Sequence, residues 1–344
     1  MDLEGKNLWQ VGAGDTERQY GDICLQCDCM VVGPGSPGRY LENLGEYEKQ
    51  RDIRRFYDEA KKGDLVLLRL GSSHVLALGE IVDDQPDWLD EFADIDGWDL
   101  QHVRRVLWYP DTAKDFAVRT FGGQVNPFAA VHVSKVREWV DSLAITDEAR
   151  RRRLRRLPQP GENLDEEELG RRLFIEGLPS EYIEKLSHTL ESIRRVATWY
   201  SNKAKRPEGR PSEQETVAYL VLPLLGCLGW SQQTAAVEWC NIDVALFGRM
   251  PTDDKSLECV VEAKTMKRSV FQPKGQALSY ALRAGRKNCR RLIVTDGIRY
   301  ALYRRQANDF HRYAYLNVLR MRTKYPLLRC AGAVEAIMEM SRMG

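Results

Sequence analysis

Between Ser212 and Tyr303 the apolar pattern changes period in a set order, and this constrains the fold more than any other feature of the 344-residue chain. Val217, Leu220, Val221, Leu224, Leu225 and Leu228 recur at i, i+3, i+4 and i+7, the stripe of a helix with one buried face, and Gly229-Trp230 stops it. A strand pair is predicted from Thr234 to Phe247, a strand over Cys259 to Lys264, and a helix from about Val270 to Ala284. A strand over Arg291 to Thr295, a turn at Asp296-Gly297 and a strand over Ile298 to Tyr303 follow. This α-β-β-β-α-β-β order predicts an α/β domain with a central mixed sheet.

Chemistry enters on two of those strands. Asp243 lies near the start of Ile242 to Phe247, and Glu262-Ala263-Lys264 ends the next strand. Side chains alternate along a strand, so Glu262 and Lys264 share one face while Val261 and Ala263 pack on the other. Two carboxylates and an ammonium can thus converge. Phosphodiester hydrolysis calls for a hard cation held by one or two carboxylates, a role for Asp243 and Glu262, and Mg²⁺ (with Mn²⁺ as a substitute) suits them. Lys264 would orient the attacking water or stabilise charge on the phosphate. The bland alternative is two edge carboxylates and a solvated lysine. On the predicted first helix, Glu213 falls on the buried stripe four residues before Val217, whereas Glu215 points nearly opposite. Glu213 is the outer acid on that ground, a helix cap being its plain alternative.

The ordered set resembles the restriction-endonuclease-like domain, of the PD-(D/E)xK type, at the N-terminus of type I restriction motor subunits. Ser212-Glu213-Gln214-Glu215-Thr216, Leu222-Pro223-Leu224-Leu225 and Leu228-Gly229-Trp230 look like its opening. Asp243-Val244-Ala245-Leu246 resembles its D-x-A-L strand and Val261-Glu262-Ala263-Lys264 its (V/I)-E-A-K strand. Gln276-Ala277-Leu278-Ser279-Tyr280 resembles its Q-x-x-x-Y helix, and Thr295-Asp296-Gly297 its T-(N/D)-G turn. No helicase motifs follow. The resemblance implies a nuclease active site of Asp243, Glu262, Lys264 and Glu213, and a contact of Gln276 with the site or the DNA backbone. Tyr280 shares a helix face with Gln276. Lys267, Arg268, Lys274, Arg283, Arg286, Lys287, Arg290 and Arg291 are the candidate phosphate contacts.

Charge divides the chain. Residues 1–145 carry a net −10, residues 146–205 a net +2 and residues 206–344 a net +9. The C-terminal third suits a polyanion. Three segments are expected: a small β-rich domain with a helix or two (1–145), a basic helical connector and linker (146–205), and the nuclease domain (206–344). Within the first, Ile23 to Val32 is read as a strand, Leu65 to Leu70 and Val75 to Val82 as a hairpin, and Asp83 to Asp99 as a long loop. Gly14-Asp15-Thr16, the Gly33-Pro34-Gly35 turn, and Gly63 to Arg69 leading to Ala77 to Val82 resemble the small PUA-like barrels of the EVE and related families. That implies a pocket for a modified or flipped base, with Trp88, Trp98, Trp108 and Tyr109 as its candidate aromatics. Their alternative is packing in the core.

Cys24, Cys27 and Cys29 form a C-x-x-C-x-C cluster, but no second ligand pair follows, so zinc is not expected. No apolar run spans a bilayer and the start lacks a secretory pattern, so no membrane segment and a cytoplasmic location are expected. The expected function is a restrictive DNA endonuclease directed to modified DNA. A nuclease acting on RNA and a catalytically silent nucleic-acid-binding regulator are the rivals. One such site cuts one strand, which favours a homodimer for double-strand cleavage.

Overall fold

The computed structural model describes residues 3–14, 18–121, 127–202, 209–272 and 274–342. Contacts divide the chain into Met1–Gln159 and Pro160–Gly344. Each unit is mixed α+β and carries its own multi-stranded sheet, the first curled into a half-barrel. No helix among the described residues is long and apolar enough to cross a membrane.

The N-terminal sheet is built from β1 (Leu8–Gly12), β2 (Cys29–Val32), β3 (Leu65–Leu70), β4 (His74–Ile81), β5 (Asp87–Trp88), β6 (His102–Tyr109), β7 (Lys114–Asp115) and β8 (Phe128–Ala130). The order is β2-β6-β4-β3-β1-β8, with β5 on β6 and β7 on β4, and curling brings β2 back towards β1. The hairpin β3–β4 stands where the sequence put it. Two other expectations change. The strand expected from Ile23 is helix α1 (Gly21–Cys27) until Asp28, whose left-handed backbone at φ 47° ends the helix before β2. The expected loop over 83–99 contains β5 and a 3₁₀ turn whose Phe92 is buried.

Buried Asp28 also moves the domain boundary. It accepts hydrogen bonds from Arg152 (2.6 and 2.9 Å) and from the Arg155 amide (2.7 Å), and Arg155 donates to the Leu25 carbonyl. After the short helix α2 (Arg51–Arg54) between β2 and β3, helices α3 (Ser134–Ser142) and α4 (Asp147–Arg151) precede this strap, and Ala149 and Leu154 pack on the core of the unit. The basic run Arg150 to Arg156 is therefore stitched to the first unit by a buried carboxylate, and the expected start of a connector at residue 146 falls inside that unit.

The remaining connector belongs to the second unit. There α5 (Glu166–Ile175), capped by Asp165 accepting from the Glu168 amide, and α6 (Ser180–Ser201) bury Leu169, Leu173, Leu186, Leu190 and Ile193 in the main core. The next helical segment runs through α7 (Glu213–Thr216), a π turn (Val217–Val221) and α8 (Leu222–Cys227). Pro223 has no amide to give and its ring crowds the carbonyl four residues back, so the wider turn before it accommodates the proline without ending the helix. The strands are β9 (Ala235–Trp239), β10 (Ile242–Phe247), β11 (Leu257–Ala263), β12 (Arg291–Thr295), β13 (Arg299–Gln306), β14 (Asp309–Asn317), β15 (Lys324–Tyr325) and β16 (Cys330–Ala331), and α9 (Lys274–Ala281) and α10 (Ala333–Met340) complete the unit. Their order is β15-β16-β14-β13-β12-β11-β10-β9, with β11 parallel to β12 and β14 parallel to β16, a mixed sheet as expected. Val244, Val261 and Ala263 face the core formed with α5, α6, α8 and α10, whereas α9 covers β11 and β12 with Ala277 and Ala281, which lie outside that core cluster. Even-numbered side chains of β11 thus point away from the helical core.

Candidate functional site

Strands β10 and β11 pair antiparallel with Val244 opposite Val261. One step further sets Asp243 beside Glu262, both on the face away from the helical core. The Asp243 carboxylate is fixed by the Ala263 amide, which donates to Oδ2 at 2.6 Å. Glu262 is 1% exposed; its Oε1 accepts from Lys264 Nζ at 2.8 Å, and its Oε2, although buried, has no hydrogen-bond partner. Lys264 Nζ also lies 3.7 Å from Glu213 Oε1. Glu215 is occupied elsewhere: it closes a capping box with Ser212, Ser212 amide to Oε2 at 2.8 Å and Glu215 amide to Ser212 Oγ at 3.1 Å. The capping glutamate is thus Glu215, and Glu213 turns to the lysine.

One cation here serves three carboxylates. Burial raises the Glu262 carboxyl above the ordinary value, opposed by the Lys264 hydrogen bond and reinforced by the charges of Asp243 and Glu213. Burial works to lower Lys264, but its hydrogen bond to Glu262 and the surrounding acids outweigh this and hold it above the ordinary lysine value. The cluster is short of positive charge. Among the described residues no group of three or more His, Cys, Asp or Glu side chains is arranged to hold a metal. Mg²⁺ asks for less, one or two carboxylates with water and phosphate oxygens around them. The unpartnered Glu262 Oε2 and the neighbouring Asp243 fit that requirement, with hard anionic oxygens and charge to neutralise.

The turn after β12 holds the site against the first helix. Asp296, 1% exposed, accepts from the amides of Ile298 (3.1 Å) and Arg299 (2.7 Å) through Oδ1, and from the Lys267 amide (2.9 Å) and the Arg299 guanidinium (2.8 Å) through Oδ2. Gly297 has φ +83°, and a Cβ there would lie 2.6 Å from Leu220 Cδ1. Lys264 joins this turn by its amide, which donates to Thr295 O at 2.7 Å. The sequence does not mark Asp296 or Arg299 as a support of the site; the tripeptide Thr295-Asp296-Gly297 is the available signal.

Gln276 and Tyr280 are neighbours on α9, 3.4 Å apart between Nε2 and OH, with Gln276 exposed. Lys267 and Arg268 are exposed in the loop after Lys264. Lys274 lies 3.5 Å from Asp309 and over the ring of Tyr303. Two basic candidates are structural instead. Arg286, 1% exposed, bonds Asp254 at 2.6 Å and stacks over Trp239, and Arg291 bonds Glu258 and the carbonyls of Glu339 and Ser341.

In the N-terminal unit, Trp108 and Tyr109 are buried on β6, Trp108 donating to the carbonyls of Cys24 and Cys29, so neither offers a face to a base. Trp88 and Trp98 are half-buried, with the guanidinium of Arg39 5.7 Å from the Trp88 ring and that of Arg18 4.6 Å from the Trp98 ring. Asp15 and Thr16 lie outside the described residues. Sequence reasoning missed a buried polar chain beside Trp88, which pairs with His102 across β5 and β6: Tyr57 OH donates to His102 Nδ1 (2.9 Å), and His102 Nε2 faces Pro34 O (3.0 Å) and Tyr47 OH (3.1 Å). Burial pushes His102 down to about 4, so it is neutral near pH 7 and pins the Gly33-Pro34-Gly35 turn. The Cys27 thiol is pushed up by its hydrogen bond with Cys29 and by burial, and the Cys29 thiol by its hydrogen bond with Cys24 and by burial, so both stay protonated.

A family model described as a domain of unknown function (DUF8426) matches residues 9–127, inside the N-terminal unit. No curated protein and no solved structure matches the chain.

Proposed function

We propose that the chain is a Mg²⁺-dependent DNA endonuclease of the PD-(D/E)xK type, with its site on β10 and β11 and a PUA-like N-terminal unit that directs it to modified DNA. The observation that carries the hydrolytic reading is the buried Glu262 carboxylate, bonded to Lys264 through one oxygen and without a partner on the other. A buried, half-satisfied carboxylate costs stability, about 1–3 kcal/mol or more for a charged group. Such strain is retained where chemistry uses it.

Asp243 and Glu262 would hold the Mg²⁺, which when bound polarises the scissile phosphate and an attacking water. The chain's own groups do the positioning. The Ala263 amide fixes the Asp243 carboxylate, leaving Oδ1 for the site. Lys264, kept protonated by its acidic neighbours, presents N–H donors to the water or a non-bridging phosphate oxygen. Glu213, across Lys264, orients water at the rim. Water forms the new P–O bond as the bond to the leaving sugar oxygen breaks, and the proton released by water ends on that oxygen or in solvent. One site cuts one strand, so double-strand cleavage takes two copies or two binding events.

The reader reading rests on Trp88 and Trp98, the two candidate aromatics that are half-buried and not buried in the core. Cleavage of matched plasmids with and without cytosine or adenine modification tests it: cutting confined to modified DNA is expected, and equal cutting of both would remove the reader while leaving the nuclease.

A further inference from the structure

A cavity of about 830 Å³ opens at the end of the C-terminal sheet away from Lys264. Its walls come from the starts of β11 and β12, the end of β13, the loops around residues 248–256 and 287–290, and α10. Glu258, on its wall, precedes Glu262 by four residues on the same strand, about 13 Å at 3.3 Å per residue. The cavity is therefore separate from the carboxylate cluster.

Both acids on its wall are already paired. Glu258 bonds Arg291 at 2.8 Å and Glu339 bonds Arg304 at 2.5 Å. Arg249, Lys255, Lys287 and Arg290 are exposed and, among the described residues, have no acidic side chain within ion-pair distance. Arg305 joins them, its guanidinium donating to the carbonyls of Ala307, Arg286 and Cys289. Five cations thus line one concavity, brought there from two separate loops and the end of β13, none of them in an ion pair among the described residues and only Lys255 with an acid, Asp253, acting on it at longer range. Their mutual repulsion is relieved by an anion with several charges. Among the described residues no aromatic ring lines the cavity, so they offer a base no stacking platform and the occupant is gripped by its phosphates.

We propose that this cavity binds the phosphate backbone of a nucleic-acid strand without regard to base sequence. The choice of nucleic acid rests on the hydrolytic reading of the same unit; the excess of cations stands without it.

The test is fluorescence anisotropy with the full chain, labelled single-stranded and duplex 20-mers of scrambled sequence, and EDTA in the buffer so that neither metal nor cleavage enters. The double variant Lys287→Glu/Arg290→Glu is compared with Lys185→Glu/Arg195→Glu, an equal charge change at exposed positions on α6. Wild type is expected to bind. The cavity variant should bind at least tenfold more weakly and lose about 1.4–1.8 from its salt slope, two phosphate contacts' worth, while the α6 variant changes less than threefold. Thermal melts matching wild type would show that both variants fold. Equal weakening by both variants would overturn the proposal, as would unchanged binding by the cavity variant. Inorganic tripolyphosphate supplies the other arm: if it binds through Lys287 and Arg290 while neither oligonucleotide binds, the occupant is a small polyphosphate and the backbone assignment fails. A chain that binds DNA through these residues and never cuts it would sustain this site and sink the hydrolytic one.

Discussion

Glu262 gives the sharpest prediction at the scale of single residues. Its carboxyl titrates above its ordinary value of 4.5 in the folded chain. A carboxyl raised in this way contributes stability below the unfolded value and loses it as pH rises through the folded one, so ionised Glu262 is a cost at neutral pH. Without divalent metal, Glu262→Gln should therefore melt at or above the wild-type temperature at pH 7, with the difference shrinking towards pH 4. Calorimetry across that range checks the sign, and a variant less stable than wild type at pH 7 would contradict it. Mg²⁺ should reverse the order: binding only the native state adds about 2.7 kcal/mol at a hundredfold excess over Kd, and Glu262→Gln or Asp243→Asn should abolish the shift. Asp243, Glu262 and Lys264 were legible in the sequence because strand alternation alone sets which side chains share a face. The buried cations were not. Whether an arginine such as Arg286 is solvated or structural depends on Asp254 and Trp239, partners 32 and 47 positions away that no local period reveals.

Elements show the same division. The strands β9 to β13 and the helix after Ser212 follow from period and turn residues, and β12 has the bounds its apolar run predicts. β15 and β16 are not legible in the sequence, since they are two residues each and take their places from pairing with one another and with β14. Helix α1 reads as strand in the sequence because seven residues carry too few turns to display a helical period. The turn at Gly297 is tied to packing as well as to backbone conformation. Gly297→Ala should destabilise the chain by more than Gly285→Ala, in which alanine is also strained by a positive φ but the nearest atom to a new Cβ is 3.4 Å away. Denaturant melts should put Gly285→Ala near 1 kcal/mol and Gly297→Ala above 2; equal costs would mean that Leu220 yields freely. Leu190→Ala, in α6, should cost 2–5 kcal/mol as a core truncation.

For the molecule as a whole, composition located the change of character but not the boundary. The polar stretch near residue 205 looked like a linker because it lacks apolar residues, yet α5 and α6 before it belong to the core that Leu224, Val261 and Ile293 share. A fragment covering residues 160–344 should fold with one cooperative transition, whereas 206–344 should not, having lost two core helices; circular dichroism melts of both decide it. The charge split between the two ends survives this redrawing, and the basic cavity gives it a place in the second unit. The central claim, a metal-dependent phosphodiesterase site at Asp243, Glu262 and Lys264, is met most directly by following plasmid DNA cleavage with purified wild type and Lys264→Ala at pH 7.5, with Mg²⁺ or with EDTA. Cleavage by wild type in Mg²⁺ alone, with Lys264→Ala slower by a factor of about 10²–10³ or more while melting as a folded protein, is the predicted result; cleavage that persists undiminished in Lys264→Ala would contradict it.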